Sequence, residues 1–274
     1  MNNNNAVIFT DMDGTLLDHH TYAFDAALPV LKKLRQKHIP VIPTTSKTYA
    51  ELLVLRDTIG LEGPFIVENG AAIYIPHGFF GKKPSGTVWQ DGFWCKAFTS
   101  QKNYWLKQLD MVKSDFAGKF THFTEMSLED IQNATGLDEV AASRAAQRQF
   151  GEPVLWKGSE EEKNRFVGAI RERGATPLEG GRFIHVSGDC NKGDALTWFM
   201  AEYARQTDTT ATSIALGDGK NDIAMLEAAD IAVRITSPSH PPPDVEKEEQ
   251  LYTSTLQGPD GWAEMLTSLL SLED

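Results

Sequence analysis

Short apolar runs alternate with helical stripes along most of the chain. Ala6–Thr10 (AVIFT), Ile39–Pro43 and Pro64–Glu68 (PFIVE) are continuous runs, the pattern of strands buried on both faces. Between them, Ala27, Val30, Leu31 and Leu34 recur at helical spacing and give out near Lys37 and His38. Leu52, Leu53 and Leu55 mark a second helix over about Thr48–Ile59, and Gly60 supplies its stop. Over residues 76–95 the composition changes: Pro76, Gly78, Gly81, Pro84, Gly86 and Gly92 crowd together and mark a boundary. Beyond it, Asp138 opens a helix running to about Phe150. Ser159 and Glu162 form a capping box for another, which turns Phe166, Val167 and Ile170 inward and ends at Gly174. The strand–helix rhythm resumes after Gly180. Arg182–Val186 reads as a strand, Lys192–Arg205 as a helix, Ser213–Leu216 as a buried strand, Asn221–Ala228 as a helix and Ile231–Val233 as a last strand. His240–Glu249 is a polar, proline-rich loop, and Pro259–Leu270 closes the chain as a helix. There is no internal repeat.

This alternation predicts an α/β fold: a doubly wound parallel-sheet (Rossmann-like) core with an inserted α/β domain. The core is expected from residues 1–85 and 186–274, and the insertion from 86–185. A chain of 274 residues can bury a sizeable core, and its 41% hydrophobic and 23% charged content is that of an ordinary globular protein. The charge balance narrows the partners. With 26 Lys+Arg against 38 Asp+Glu and a net charge of −12, neither nucleic acid nor an anionic membrane is expected as partner. A small anionic ligand stays open, because a metal ion or a lysine can reverse the field inside one cleft. Cys95 and Cys190 make no disulfide framework and sit in no CxxC, which fits a reducing compartment. The opening MNNNNAVIFT has no basic segment, and no apolar stretch approaches the roughly 18 residues of a membrane span. A soluble, cytoplasmic protein is therefore expected.

The sharpest chemical feature is Asp11-Met12-Asp13-Gly14-Thr15, directly after the first buried strand. In an open parallel sheet, ligands bind at the carboxyl ends of strands. Two carboxylates flanking one residue at a glycine turn repel each other unless something positive lies near; the plain alternative is a strand-to-loop turn. Gly217-Asp218-Gly219-Lys220-Asn221-Asp222 sits at another strand end and opens a helix, where Asp or Asn also serves as an ordinary cap. It is a poor dinucleotide fingerprint, since Asp222 replaces the third glycine and Asp218 would face a pyrophosphate. It is no calcium loop either: counting from Asp218, position 6 is Ile223 and position 12 is Ala229. GxxxxGK[ST], HExxH and GxSxG are absent from the chain. Thr44-Thr45-Ser46-Lys47 places hydroxyls at a strand end before a helix, an anion site or a simple cap. Lys192 begins a helix after Asn191, a position that a surface lysine also occupies. Together the segments say more than each alone. A Mg²⁺ between Asp11 and Asp218 would complete an oxygen cage, with the hydroxyls and Lys192 left for phosphate oxygens. That combination is a phosphoryl-transfer site with a carboxylate nucleophile.

Asp11-x-Asp13-Gly-Thr15, Thr45, Lys192 and Gly217-Asp218-Gly-x-Asn221-Asp222 resemble, in order, the four motifs of the haloacid dehalogenase superfamily of phosphatases. The large insertion and Glu68-Asn69-Gly70-Ala71 resemble its Cof-like sugar-phosphatase branch. Within that branch, Thr45-Ser46-Lys47-Thr48 stands where most relatives have Thr-Gly-Arg. With Gly180-Gly181-Arg182-Phe183 and Gly258-Pro259-Asp260-Gly261-Trp262, it is similar to the mannosyl-3-phosphoglycerate phosphatase group. The resemblance implies that Asp11 attacks phosphorus and becomes an aspartyl phosphate. It implies that Asp13 protonates the leaving oxygen and then activates water. Mg²⁺ is expected on the Asp11 carboxylate, the Asp13 backbone carbonyl and Asp218, with Asp222 supporting the metal site and the lysine. Phosphate oxygens fall to Thr45 or Ser46, whose register is open by one residue, to Lys192 and to Asn221. Lys220 carries no assigned role.

The substrate implied is a small phosphorylated sugar, and the product of the leading reading is mannosylglycerate, a compatible solute. The inserted domain then serves as a specificity cap, in which Arg144, Arg148, Lys157 and Arg182 are candidates for the glycerate carboxylate. Other sugar phosphates, glucosyl-3-phosphoglycerate first among them, and a phosphomutase are the rival enzyme readings. A non-catalytic phosphate-binding module is disfavoured by Asp13, since binding alone needs no proton-transfer group.

Overall fold

The computed structural model describes residues 5–180 and 182–272; Gly181 of the Gly180–Phe183 segment and the first four residues lie outside them. The chain separates into two compact units. One holds the described residues up to Ser46, Arg56–Lys96 and those from Asn191 onward; the other holds Lys47–Leu55 and Ala97–Cys190.

In chain order the first unit opens with β1 (Ala6–Thr10), α1 (Leu28–Gln36) and β2 (Val41–Pro43). Helix α2 (Tyr49–Ile59) is followed by β3 (Phe65–Val67), β4 (Ala72–Pro76), β5 (Val88–Gln90) and β6 (Phe93–Ala97). The second unit contributes α3 (Lys102–Val112), β7 (Phe120–His122), α4 (Leu128–Thr135), α5 (Glu139–Ala145), β8 (Glu152–Trp156), α6 (Glu160–Arg171), β9 (Leu178–Gly180) and β10 (Phe183–Val186). The chain then returns through α7 (Lys192–Thr207), β11 (Thr212–Gly217), α8 (Ile223–Ala228), β12 (Ile231–Thr236), β13 (Leu251–Gln257) and α9 (Gly258–Leu270).

The main sheet is parallel, in the order β13-β12-β11-β1-β2. Its centre is buried on both faces, and β1 shows why. Phe9 meets Phe199 of α7 edge-on, with ring centroids 5.9 Å apart. The next side chain, Thr10, points to the opposite face and accepts a hydrogen bond from Trp262 of α9. Helices thus cover both sides, and a strand so placed carries no alternation. Burying Val7, Ile8 and Phe9, none of which is exposed, contributes roughly 1.5–3 kcal/mol for each large side chain. A parallel bridge from Thr44 to Ile66 brings β3 alongside, and β3 opens an antiparallel sheet ordered β3-β4-β6-β5. The second unit is an antiparallel sheet, β7-β8-β10-β9, with α3 and α6 packed through Trp105, Leu109, Phe166 and Ile170 against Val154 and Ile184. A smaller cluster of Phe123, Ile131 and Ala142 joins α4 and α5.

The expected fold class is the observed one, with three local differences. The Pro/Gly-crowded stretch at 76–95 carries strands β5 and β6 and stays in the first unit. The helix expected from Asp138 to about Phe150 ends at Ala145. Ile231–Val233 lies in a strand that reaches Thr236, and it is not the last: β13 follows at the sheet edge, where most of its side chains stay in solvent. Among the described residues no helix is long and apolar enough to cross a membrane.

Candidate active site

Asp11 leaves β1 while its amide still donates to Leu216 O at 2.9 Å, so the strand carries it into the site at a fixed height. The chain then closes a tight turn, with Leu17 N donating to Met12 O at 2.8 Å and Gly14 N to Leu17 O at 2.9 Å. Gly14 has φ +79°, and a Cβ there would lie 2.5 Å from Asp218 Oδ2. Only glycine lets the first aspartate motif approach the second so closely.

Asp218 follows β11. Its Oδ1 accepts from Thr15 Oγ1 at 3.3 Å, and its Oδ2 lies 3.3 Å from His240 Nε2. Lys192 stands at the first turn of α7, whose N-cap Asn191 accepts from Asp194 N at 2.9 Å. The lysine is wholly buried. Its Nζ donates to Asp11 Oδ1 at 2.5 Å and to Asp222 Oδ1 at 2.6 Å, while Asp222 Oδ2 accepts from Gly219 N at 2.9 Å. Asp11, Asp218 and Asp222 bring one oxygen each within 4.8 Å of the others, and all three are buried.

Charge explains how such a cluster behaves. Burial, reinforced by the charge of Asp222, raises the Asp11 pKa well above the usual carboxylate range, and Lys192 offsets this only in part. Burial and Asp222 also raise Asp218, against His240 and Thr15. Burial alone would depress Lys192, but the carboxylates of Asp11 and Asp222 outweigh it and hold the ammonium above the ordinary lysine range. Two carboxylates with raised pKa values beside a third carboxylate, all hard oxygen donors, fit a small divalent cation such as Mg²⁺.

The remaining sequence-predicted residues are placed as follows. Asp13 is half-buried on the same turn, and its carboxylate is not one of the three clustered ones. Thr45 is buried at the end of β2, next to β1, because Thr44 N donates to Thr10 O at 2.8 Å; Ser46 beside it is half-buried. Asn221 is exposed and donates from Nδ2 to Asn69 Oδ1 at 3.1 Å. In the second unit Arg182 donates to Ala134 O at 2.9 Å, Lys157 is exposed, and Arg144 and Arg148 are half-buried.

Four participants carried no role in the sequence reading. Thr15 lies inside the first motif, so its hydroxyl was visible there. Trp262 lies within the Gly258–Trp262 segment, but its hydrogen bond to Thr10 spans 252 positions. Asn69 lies within the Glu68–Ala71 segment, but its hydrogen bond to Asn221 spans 152 positions, and His240, in the proline-rich loop, meets Asp218 only in the fold.

A family model described as haloacid dehalogenase-like hydrolase matches residues 8–81 and 160–240. A protein of Methanococcoides burtonii named glucosyl-3-phosphoglycerate/mannosyl-3-phosphoglycerate phosphatase is 35% identical over 265 residues, covering 96% of this chain and 97% of its own. Among solved structures, the phosphatase BT1666 of Bacteroides thetaiotaomicron superposes with TM-score 0.69 at 17% identity, covering 99% of this chain and 97% of its own. The sucrose-phosphatase of Synechocystis sp. PCC6803 gives TM-score 0.60 at 13% identity, covering 97% and 98%. These two likenesses are of fold.

Proposed function

The chain belongs to the haloacid dehalogenase-like hydrolases and is a phosphoric monoester hydrolase of the sugar-phosphate type, and from this premise we propose that it hydrolyses mannosyl-3-phosphoglycerate to mannosylglycerate and phosphate. The observation that carries the catalytic reading is the buried Lys192 held between Asp11 and Asp222, with Asp218 closing the cluster. The substrate rests on the 35% identical relative, whose double name makes the glucosyl ester the second reading.

In this reading Asp11 attacks phosphorus in line. The P–O bond to the 3-oxygen of the glycerate breaks as the Asp11–phosphorus bond forms, and Asp13 gives its proton to that departing oxygen. Asp13, now ionised, takes a proton from the water that cleaves the aspartyl phosphate. Lys192, Asn221 and the Thr45 or Ser46 hydroxyl hold the transferring oxygens. Lys192 also keeps Asp11 oriented, because its ammonium cannot leave two buried carboxylates without large cost. Mg²⁺, when bound by Asp11, Asp218 and the Asp13 backbone carbonyl with Asp222 in support, supplies charge neutralisation at the phosphoryl oxygens.

The domain division and the cytoplasmic location belong to the same proposal. Substrate selection is assigned to the inserted unit, where Arg144, Arg148, Lys157 and Arg182 are the candidate counter-charges for a glycerate carboxylate.

The test is a panel of phosphate esters with released phosphate as readout. The highest kcat/KM is expected on mannosyl-3-phosphoglycerate, with glucosyl-3-phosphoglycerate next. Preference for sugar phosphates without a glycerate group would overturn the substrate. Transfer to a second sugar in place of water would make the protein a mutase.

A further inference from the structure

Residues 68–70, between β3 and β4, hold an unusual backbone. Glu68, Asn69 and Gly70 have φ of +49°, +59° and +92°, three left-handed residues in succession, and the first is a buried glutamate. Glycine adopts this region freely and asparagine readily; glutamate adopts it at a cost. Such a conformation persists only where the surroundings over-determine it.

Three segments surround it, and each carries a residue of the proposed phosphate site. The Asn69 amide donates to Thr45 O at 2.9 Å, fixing the end of β2. Asn69 Oδ1 accepts from Asn221 Nδ2 at 3.1 Å, across 152 positions. Gly70 lies directly against the start of α7: a Cβ there would stand 2.0 Å from Asn191 O and 2.7 Å from Lys192 N. A reversal joining two antiparallel strands needs none of these ties, since an Asn-Gly turn alone would connect them.

We propose that the Glu68-Asn69-Gly70 turn is a positioning element, in which Asn69 sets the Asn221 amide and Gly70 sets the backbone of Lys192 against the phosphoryl group. Asn69 acts through Asn221 rather than on substrate. The inference rests on the phosphatase reading of the site.

A double-mutant cycle tests it, using the full chain, Mg²⁺ and p-nitrophenyl phosphate at saturation. Asn69→Gly keeps the left-handed backbone and removes the acceptor. It is expected to leave Tm nearly unchanged and to lower kcat about tenfold, the scale of one hydrogen bond. Asn221→Ala is expected to do the same, and the double variant to lose no more than about twofold beyond the worse single. Asn69→Asp retains Oδ1 as an acceptor and is expected to keep kcat within about threefold of wild type. Losses that multiply to about a hundredfold, wild-type kcat in Asn69→Gly, or equal damage from Asp and Gly would each overturn the proposal. The same cycle is read in the Kd for inorganic phosphate, which needs no turnover. Absence of wild-type turnover would therefore refute the phosphatase reading, while the phosphate cycle still decides the role of Asn69.

Discussion

Lys192 shows what single residues do here, because a fully buried ammonium is held there by the carboxylates of Asp11 and Asp222. Removing it in Lys192→Met leaves Asp11 and Asp222 facing each other, which is expected to cost roughly 3–5 kcal/mol. A drop of that size in unfolding free energy by urea titration would confirm it, and an unchanged midpoint would contradict the pairing. Asp11→Asn has the opposite sign. Ionising Asp11 inside the fold is unfavourable, so its neutral isostere is expected to raise Tm in EDTA while abolishing turnover. Thermal melts in EDTA with a parallel phosphate-release assay check both halves; a lower Tm would show that the pairing with Lys192 outweighs the burial and repulsion at Asp11. The carboxylates that the structure brings together, Asp11, Asp218 and Asp222, were legible in the sequence, because they sit in short motifs at strand ends. The contacts of Asn69, His240 and Trp262 were not. Their hydrogen bonds or ion pairs join positions far apart in sequence, and no local pattern encodes them.

At the scale of elements, the buried strands read cleanly, since helices on both faces favour continuous apolar runs such as Ala6–Phe9 of β1 and Ile214–Leu216 of β11. Strand β13 did not, because an edge strand with polar, solvent-facing residues such as Thr253 and Thr255 lacks the apolar signal. Helix α5 ends at Ala145 although apolar positions continue past it: Ala146 packs against the small cluster around Ala142 and Phe150 is buried, so the sequence pattern overran the helix. Strand β10 offers its own test. Burial, with a contribution from Arg148, lowers the His185 pKa to about 4. A histidine whose folded value lies below its unfolded one supports the fold above about pH 6.5 and withdraws that support as the pH falls toward the folded value. His185→Gln is therefore expected to flatten the loss of stability between about pH 6.5 and 4, by of order 2 kcal/mol across the window. Identical pH profiles for the variant and wild type would contradict this.

Across the whole molecule, the two-unit division follows from an insertion that interrupts the strand–helix rhythm, which composition locates only to within several residues. The Pro/Gly-rich stretch suggested a boundary near 85, whereas β5 and β6 continue the first unit to Lys96. The acid cluster is expected to make global stability depend on cations. Asp11 and Asp218 have raised pKa values, so without metal the fold is favoured below the ordinary carboxylate range and loses that contribution as pH rises through the raised values. Mg²⁺ is expected to raise Tm by more at about pH 7.5 than at about pH 5, and EDTA to reverse the gain. A Mg²⁺ shift independent of pH would place the ion elsewhere. The central claim, that Asp11 is phosphorylated and Asp13 moves the protons, is tested most directly by rapid-quench kinetics of Asp13→Asn on p-nitrophenyl phosphate. That leaving group departs without protonation, so the variant should release one equivalent of p-nitrophenol per chain in a burst and then turn over slowly, as water lacks its base. Its turnover of the sugar phosphate should fall by roughly 10²–10⁴. Loss of the burst in equal measure with sugar-phosphate turnover would contradict the acid–base assignment of Asp13, and a burst that persists in Asp11→Asn would contradict the nucleophile.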